Sequence, residues 1–295
     1  MKNINGWFLP ENDSYFSKIL SESGSFEPER LRAALQHVKN FRCAIDAGAH
    51  IGLKSRELSP RFSSVYSFEP VLETYGCLIE NISSLSNITC FNVALGNEEN
   101  EVAMRESSTR PGNSGSMFVT HGAGTRMRTL DSFGFQNVDF IKIDCENYEY
   151  FVLLGAKDTI HKSHPVILIE VKNFRDTEGR IAVDYLAASR LLEEWGMHCV
   201  EKFKNDRVYV WPEAHSTPLL MGQITDEHAT KLSEQTPKTF GQYTSAFTGE
   251  DEYLSPHFEE NVAAFYAKLL KEQEPLGKEF EQVLHDNFWD LLIRT

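Results

Sequence analysis

The chain has 295 residues, of which 41% are hydrophobic and 24% charged, with a formal net charge of −14. That length suits one large domain with an appendage, and the composition excludes a mainly disordered or collagen-like polymer. The acid excess repels phosphate backbones and anionic lipid, so neither nucleic acid nor a membrane is expected as a partner.

Taken in chain order, the first predicted element is a helix starting near Pro28, with Leu31, Leu35 and Val38 on one face and the proline suited to the first turn. From Phe41 to Trp211, short apolar runs alternate with helical or loop segments, the pattern of βαβ units around a parallel sheet. Strands are predicted over 41–46, 64–69, 88–93, 138–144 and 166–171, most of them apolar almost throughout, as expected where helices cover both faces. Between the third and fourth, an insertion of about 100–130 carries β-like pieces at 101–105 and 125–130 around a polar stretch with Arg110, Asn113, Ser114 and Ser116. A helix over 183–195, ended by Gly196, follows the fifth strand. The runs 198–203 and 207–211 are separated only by Lys204, Asn205 and Asp206, a link too short for a parallel crossover. The sheet is therefore expected to finish in an antiparallel hairpin.

Beyond Pro212 the β pattern stops. Helices are predicted over 258–272 and 278–293, where Phe265, Tyr266, Leu269, Phe280, Leu284, Phe288 and Leu292 recur at helical spacing, a pattern suited to burial or to a homo-oligomer contact. Residues 213–295 hold 15 acids and 6 bases, most of the chain's net charge. The expected layout is an N-terminal arm and helix at 1–40, a body at 41–212 and an acidic helical extension at 213–295. Five widely spaced cysteines without a Cys-x-x-Cys pair, behind a start that is not a signal peptide, point to buried thiols in a reducing cytoplasm. No apolar run is long enough to span a membrane.

The first strand leads directly into Asp46-Ala47-Gly48-Ala49-His50-Ile51-Gly52. A glycine turn at this position lets the backbone approach a nucleotide-like ligand. The Gly48-x-x-x-Gly52 spacing departs from the dinucleotide fingerprint, and Asp46 disfavours a pyrophosphate while suiting a cationic group such as the amino acid portion of S-adenosylmethionine (SAM). Glu69 closes the second predicted strand, where an acid can accept from both ribose hydroxyls, as in NAD and SAM sites alike. A NAD-dependent oxidoreductase therefore stands as a less favoured alternative.

The run 44–81 resembles the SAM-dependent methyltransferases of the FkbM type, as do Val138-Asp139-Phe140-Ile141-Lys142-Ile143-Asp144-Cys145-Glu146 and the later Glu149, Leu153, Gly155, Ala156, Pro165, Ile167 and Glu170. Asn92 to Gly96 and Thr129-Leu130-Asp131 extend the resemblance over roughly 40–172. It implies a Rossmann-like class I methyltransferase fold of the α/β class, with a mostly parallel seven-stranded sheet ending in an antiparallel hairpin. It also implies SAM as cofactor and O-methylation of a sugar or glycan hydroxyl. Carried over by position, Asp46, Gly48 and Gly52 form the glycine loop, Glu69 is the ribose acid, and Asn92, Val93 and Ala94 lie beside the adenine; His50, within the loop, is a further cofactor-binding candidate with a plain loop residue as its rival reading. Asp144 and Glu146 would then face the sulfonium and the acceptor. Asn147 stands where the family commonly has Gly, and Asn also tolerates a left-handed backbone.

A hydroxyl acceptor needs a base or a metal as its bond to methyl forms. Asp144, Glu146 and Glu170 suit either purpose, with Asp144 the expected base and His121 in the insertion a second candidate. Magnesium is compatible with several carboxylates, but the spacing assigns no residue as a metal ligand. Structural roles compete: Asp144 as a helix cap, Glu146 and Glu149 in a first helical turn, Glu170 paired with Lys142 or Lys172. The insertion's polar residues suit acceptor hydroxyls, and Trp7, Phe8, Tyr15 and Phe16 suit a lid, a sugar-stacking surface or plain packing. The non-enzyme alternative is a binding or assembly module that kept the fold.

Overall fold

The structure, a computed structural model, describes residues 1–24, 26–173, 179–181 and 183–212. The predicted helices over 258–272 and 278–293, and with them the acidic extension, lie outside the described residues. In chain order the elements are β1 (Lys2–Ile4), β2 (Trp7–Leu9), α1 (Tyr15–Glu22), α2 (Pro28–Leu35), β3 (Cys43–Ala47), α3 (Leu53–Leu58), β4 (Ser64–Phe68), α4 (Leu72–Ile82) and β5 (Ile88–Phe91). There follow β6 (Ala94–Leu95), β7 (Asn100–Arg105), β8 (Phe118–Arg128), β9 (Val138–Ile143), α5 (Glu149–Leu154), α6 (Lys157–Ser163), β10 (Val166–Glu170), α7 (Ala187–Glu194), β11 (His198–Lys202) and β12 (Asp206–Val210).

The seven-stranded sheet runs β11-β12-β10-β9-β3-β4-β5. From β10 to β5 neighbouring strands are parallel, whereas β12 pairs antiparallel with both β10 and β11. The expected Rossmann-like sheet with an antiparallel end is thus present. Alternate residues of one strand enter opposite cores. Ile141 and Ile143 join the large cluster that includes Ile45, Phe68 and Ile169, while Phe140 joins Ala44, Val65 and Leu168 on the other face. Apolar residues on both faces are what two covering layers require.

The third main strand is shorter than predicted. Its ladder ends at Phe91 because the Asn92 side chain turns to donate to the Glu69 and Pro70 carbonyls, at 2.9 and 3.1 Å. Ala94 and Leu95 pair instead with β8 in a separate three-stranded sheet, β6-β8-β7. The insertion is thus built around a β-ribbon, and β8 begins at Phe118, seven residues before the predicted Thr125. The helix expected from 183 starts at Ala187, after the Asp184 carboxylate accepts from Leu186 N at 3.0 Å.

The N-terminal arm has more structure than its sequence suggests. Strands β1 and β2 pair as a hairpin, and Asn81 of α4 clamps it: Phe8 N donates to Asn81 Oδ1 at 2.7 Å, and Asn81 Nδ2 donates to the Phe8 and Ile51 carbonyls, each at 2.9 Å. Leu9, Phe16 and Leu20 bury against Ile51 and Cys77. The arm is thereby fixed beside the carboxyl ends of β3, β4 and β9.

Candidate functional site

The turn after β3 has Gly48 at φ +77°, His50 at +52° and Gly52 at +90°, all in the left-handed region. Only glycine fits at 48, since a Cβ there would stand 1.9 Å from the Asp144 carbonyl oxygen. Gly48 N and Ala49 N both donate to the Phe68 carbonyl, at 3.0 and 2.9 Å. His50 N donates to Glu69 Oε2 at 2.8 Å, and Val71 N donates to Oε1 at 2.9 Å. Glu69 therefore braces the turns after both β3 and β4. Burial pushes its carboxyl up to about 7, against the Val71 and His50 donors, which favour the ionised form.

A cavity opens at these strand ends. Gly48, His50, Glu69, Val93, Ala94, Asp144, Glu146 and Glu170, all expected at the site, line it. Asp46, Gly52, Asn92 and His121 do not line it. Gly52 serves packing, because a Cβ would lie 2.7 Å from the Leu78 side chain of α4. Asn92 is the brace already described. His121 is exposed on β8 and is not among the residues that line the cavity.

Asp46 acts at one remove. It is fully buried, accepts from Ser55 Oγ at 2.6 Å and lies 3.5 Å from Lys142 Nζ. Register accounts for the pairing, since Asp46 and Lys142 are partners across β3 and β9. Lys142 does line the cavity; it donates to the Gly48 carbonyl at 2.7 Å and stands 3.6 Å from Asp144 Oδ2. Burial opposes its charge, but Asp144 and Asp46 outweigh burial and hold the ammonium above its ordinary range. Sequence reading missed this role; the signal was a Lys within the apolar run Phe140-Ile141-Lys142-Ile143.

The carboxylates at the ends of β9 and β10 divide into two sets. Glu146 and Asn147 both adopt a left-handed backbone, φ +51° and +81°, so Asn147 makes the turn that Gly commonly makes. The Glu146 side chain is bound by Arg110, at 3.2 and 2.5 Å, with Lys172 at 3.5 Å, and its carbonyl accepts from Arg180 at 2.9 Å. It does not sit in the first turn of α5, which begins at Glu149. Asp144, Glu149 and Glu170 make the other set, each bringing one oxygen within 4.8 Å of the others. Glu149 Oε1 accepts from Cys145 N at 2.8 Å and Asn147 N at 3.2 Å. Glu170 Oε1 lies 3.1 Å from Lys172 Nζ. Burial pushes Glu149 up to about 7; burial, followed by Asp144 and Glu146, pushes Glu170 well above the usual carboxylate range.

The rim comes from the arm and the insertion. Tyr15, Phe16, Arg110, Asn113 and Ser114 line the cavity, whereas Trp7 and Phe8 pack with Leu9 and Ile51. Ser114 N donates to Asp13 Oδ2 at 3.1 Å, and the Ser114 hydroxyl donates to the same carboxylate. His50 Nε2 lies 2.6 Å from Ser114 Oγ. With that hydroxyl proton directed to Asp13, Nε2–H is the donor to Ser114. Burial lowers the imidazole to about 4, outweighing Asp13, so His50 is neutral at pH 7.

The profile of the methyltransferase FkbM domain matches residues 46–199. Among solved structures, methyltransferase FkbM from Methylobacillus flagellatus KT is 17% identical, over 58% of this chain and 43% of that one, with a TM-score of 0.39. This chain thus spans less than half the length of that protein. A SAM-dependent methyltransferase from Aquifex aeolicus is 15% identical, over 63% and 89%, with a TM-score of 0.38. The N-methyltransferase NodS from Bradyrhizobium japonicum WM9 is 11% identical, over 68% and 99%, with a TM-score of 0.40. No curated protein sequence matches the chain.

Proposed function

Because the chain belongs to the methyltransferase FkbM family, a family of SAM-dependent methyltransferases with the class I fold, we propose that its cavity O-methylates a sugar or glycan hydroxyl. The observation that carries this reading is that one cavity is lined both by Gly48, Glu69, Val93 and Ala94 and by Asp144, Glu170, Arg110 and Asn113. The first set suits an adenosyl group: Glu69 would accept from ribose hydroxyls, Val93 and Ala94 would flank the adenine, and the Gly48 turn would lie against the amino acid portion. Lys142 fixes that turn through the Gly48 carbonyl and holds Asp144 at its edge.

SAM supplies an electrophilic methyl group. Displacement at that carbon breaks the bond to sulfur as the bond to the acceptor oxygen forms, so alignment and exclusion of water are the protein's main tasks. Tyr15 and Phe16 shield the rim, and Arg110 and Asn113 offer donors to the acceptor's other oxygens. The hydroxyl proton passes to Asp144, whose side chain is 38% exposed and so remains accessible from the cavity. The acceptor is a small molecule or glycan.

Calorimetry is the test. The intact chain should bind SAM and its product S-adenosylhomocysteine (SAH), and Glu69→Ala should weaken both by about tenfold or more, the range of a lost charge-assisted pair of hydrogen bonds. Radiolabelled methyl transfer to sugars with and without free hydroxyls then tests the acceptor. Absence of SAM binding by the intact chain would sink the reading.

A further inference from the structure

We infer that Asp144, Glu149 and Glu170 bind a hard divalent cation of the Mg²⁺, Mn²⁺ or Ca²⁺ class beside the cavity. The methyl-transfer reading bears on what this cation does and not on whether it binds. The three carboxylates come from the end of β9, the start of α5 and the end of β10, and the fold brings one oxygen of each within 4.8 Å of the others. A second, independent observation concerns Glu170, which is nine-tenths buried and whose Oε2 has no hydrogen-bond partner among the described residues. A buried, unsatisfied carboxylate oxygen is costly, and coordination to a cation relieves that cost.

The neighbouring lysines do not complete the cluster. Lys172 meets Glu170 through Oε1 and also Glu146, while Lys142 is divided between Asp144 and Asp46. No ion pair joins Glu149 to a lysine or arginine among the described residues. Three carboxylates and no imidazole or thiolate within the group select hard cations over zinc or copper. Asp144 and Glu170 line the cavity, so coordination positions not taken by the protein would face it. Once bound, the cation would polarise the acceptor hydroxyl as the methyl group arrives.

The experiment takes the full chain, strips it with EDTA and titrates it with Mn²⁺, following the free ion by electron paramagnetic resonance. SAH binding is measured on the same samples. One Mn²⁺ per chain is expected, weakened by about tenfold or more in Glu149→Gln and in Glu170→Gln, with SAH binding retained. Glu29→Gln, at an exposed position of α2, should bind Mn²⁺ like the parent. Should either buried variant fail to fold, Asp144→Asn at its partly exposed position gives the same reading. No Mn²⁺ binding up to about 1 mM, or equal binding by the parent and the folded variants, would overturn the inference. Loss of SAH binding by the parent instead overturns the methyltransferase reading and leaves the Mn²⁺ result standing.

Discussion

Glu69 shows how much one residue carries in this site. Its carboxylate receives two backbone N–H groups from different loops, yet burial leaves its pKa near 7, against 4.5 for an ordinary Glu. Between those two values the folded chain holds a proton that the unfolded chain has released. Its contribution therefore lowers stability as pH rises from about 4.5 to about 7, by up to roughly 3 kcal/mol. The urea midpoint of the parent, taken relative to Glu69→Gln, should fall across that window; a pH-independent difference would exclude the assignment. Glu69 was legible in the sequence because an acid at a strand tip is conspicuous. Lys142 was not, since its task depends on lying opposite Asp46 across two strands that are about a hundred residues apart in the chain. Glu149 was read only as a first-turn residue of a helix. It does occupy that position, but its convergence with Asp144 and Glu170 is set by the packing of α5 against the sheet and leaves no local signal.

At the scale of elements, central strands of the large sheet such as β3 and β10 were readable because burial on both faces makes them short, mostly apolar runs. The short Lys204–Asp206 link likewise revealed the antiparallel end. The β1–β2 hairpin left no such trace, since three-residue strands carry little pattern and the clamp on them lies 73 residues away at Asn81. Asn81→Ala removes three hydrogen bonds at once and leaves the Phe8 and Ile51 groups without that partner. A loss of about 2 kcal/mol is expected in urea unfolding, together with faster proteolysis near the N-terminus. The turn between β3 and α3 gives a harsher case. Gly48→Ala places a methyl group against the Asp144 backbone at a positive φ, so two crossing chains must separate. That variant should lose about 3 kcal/mol or more and bind SAM weakly even where it folds. A variant with the parent's thermal midpoint and affinity would show that the turn relaxes freely.

For the whole molecule, the question is where the folding unit ends. Strand β12 is the last to join the sheet, and it lies inside it, between β10 and β11, so the sheet is complete by Val210. Contacts divide the chain between Ser216 and Thr217, close to the end of the apolar pattern at Pro212. Every described residue lining the cavity falls before that boundary. A chain ended after Ser216 should therefore unfold cooperatively in urea and bind SAH with the affinity of the full chain. Its formal net charge rises from −14 to −6, so it should elute from an anion exchanger at lower salt. A truncated chain that unfolds without a cooperative transition would show that residues 1–216 need residues 217–295 to fold. Cooperative unfolding without SAH binding would assign that segment to the site. Retention of both properties leaves acceptor choice and self-association as the properties to compare between the two lengths.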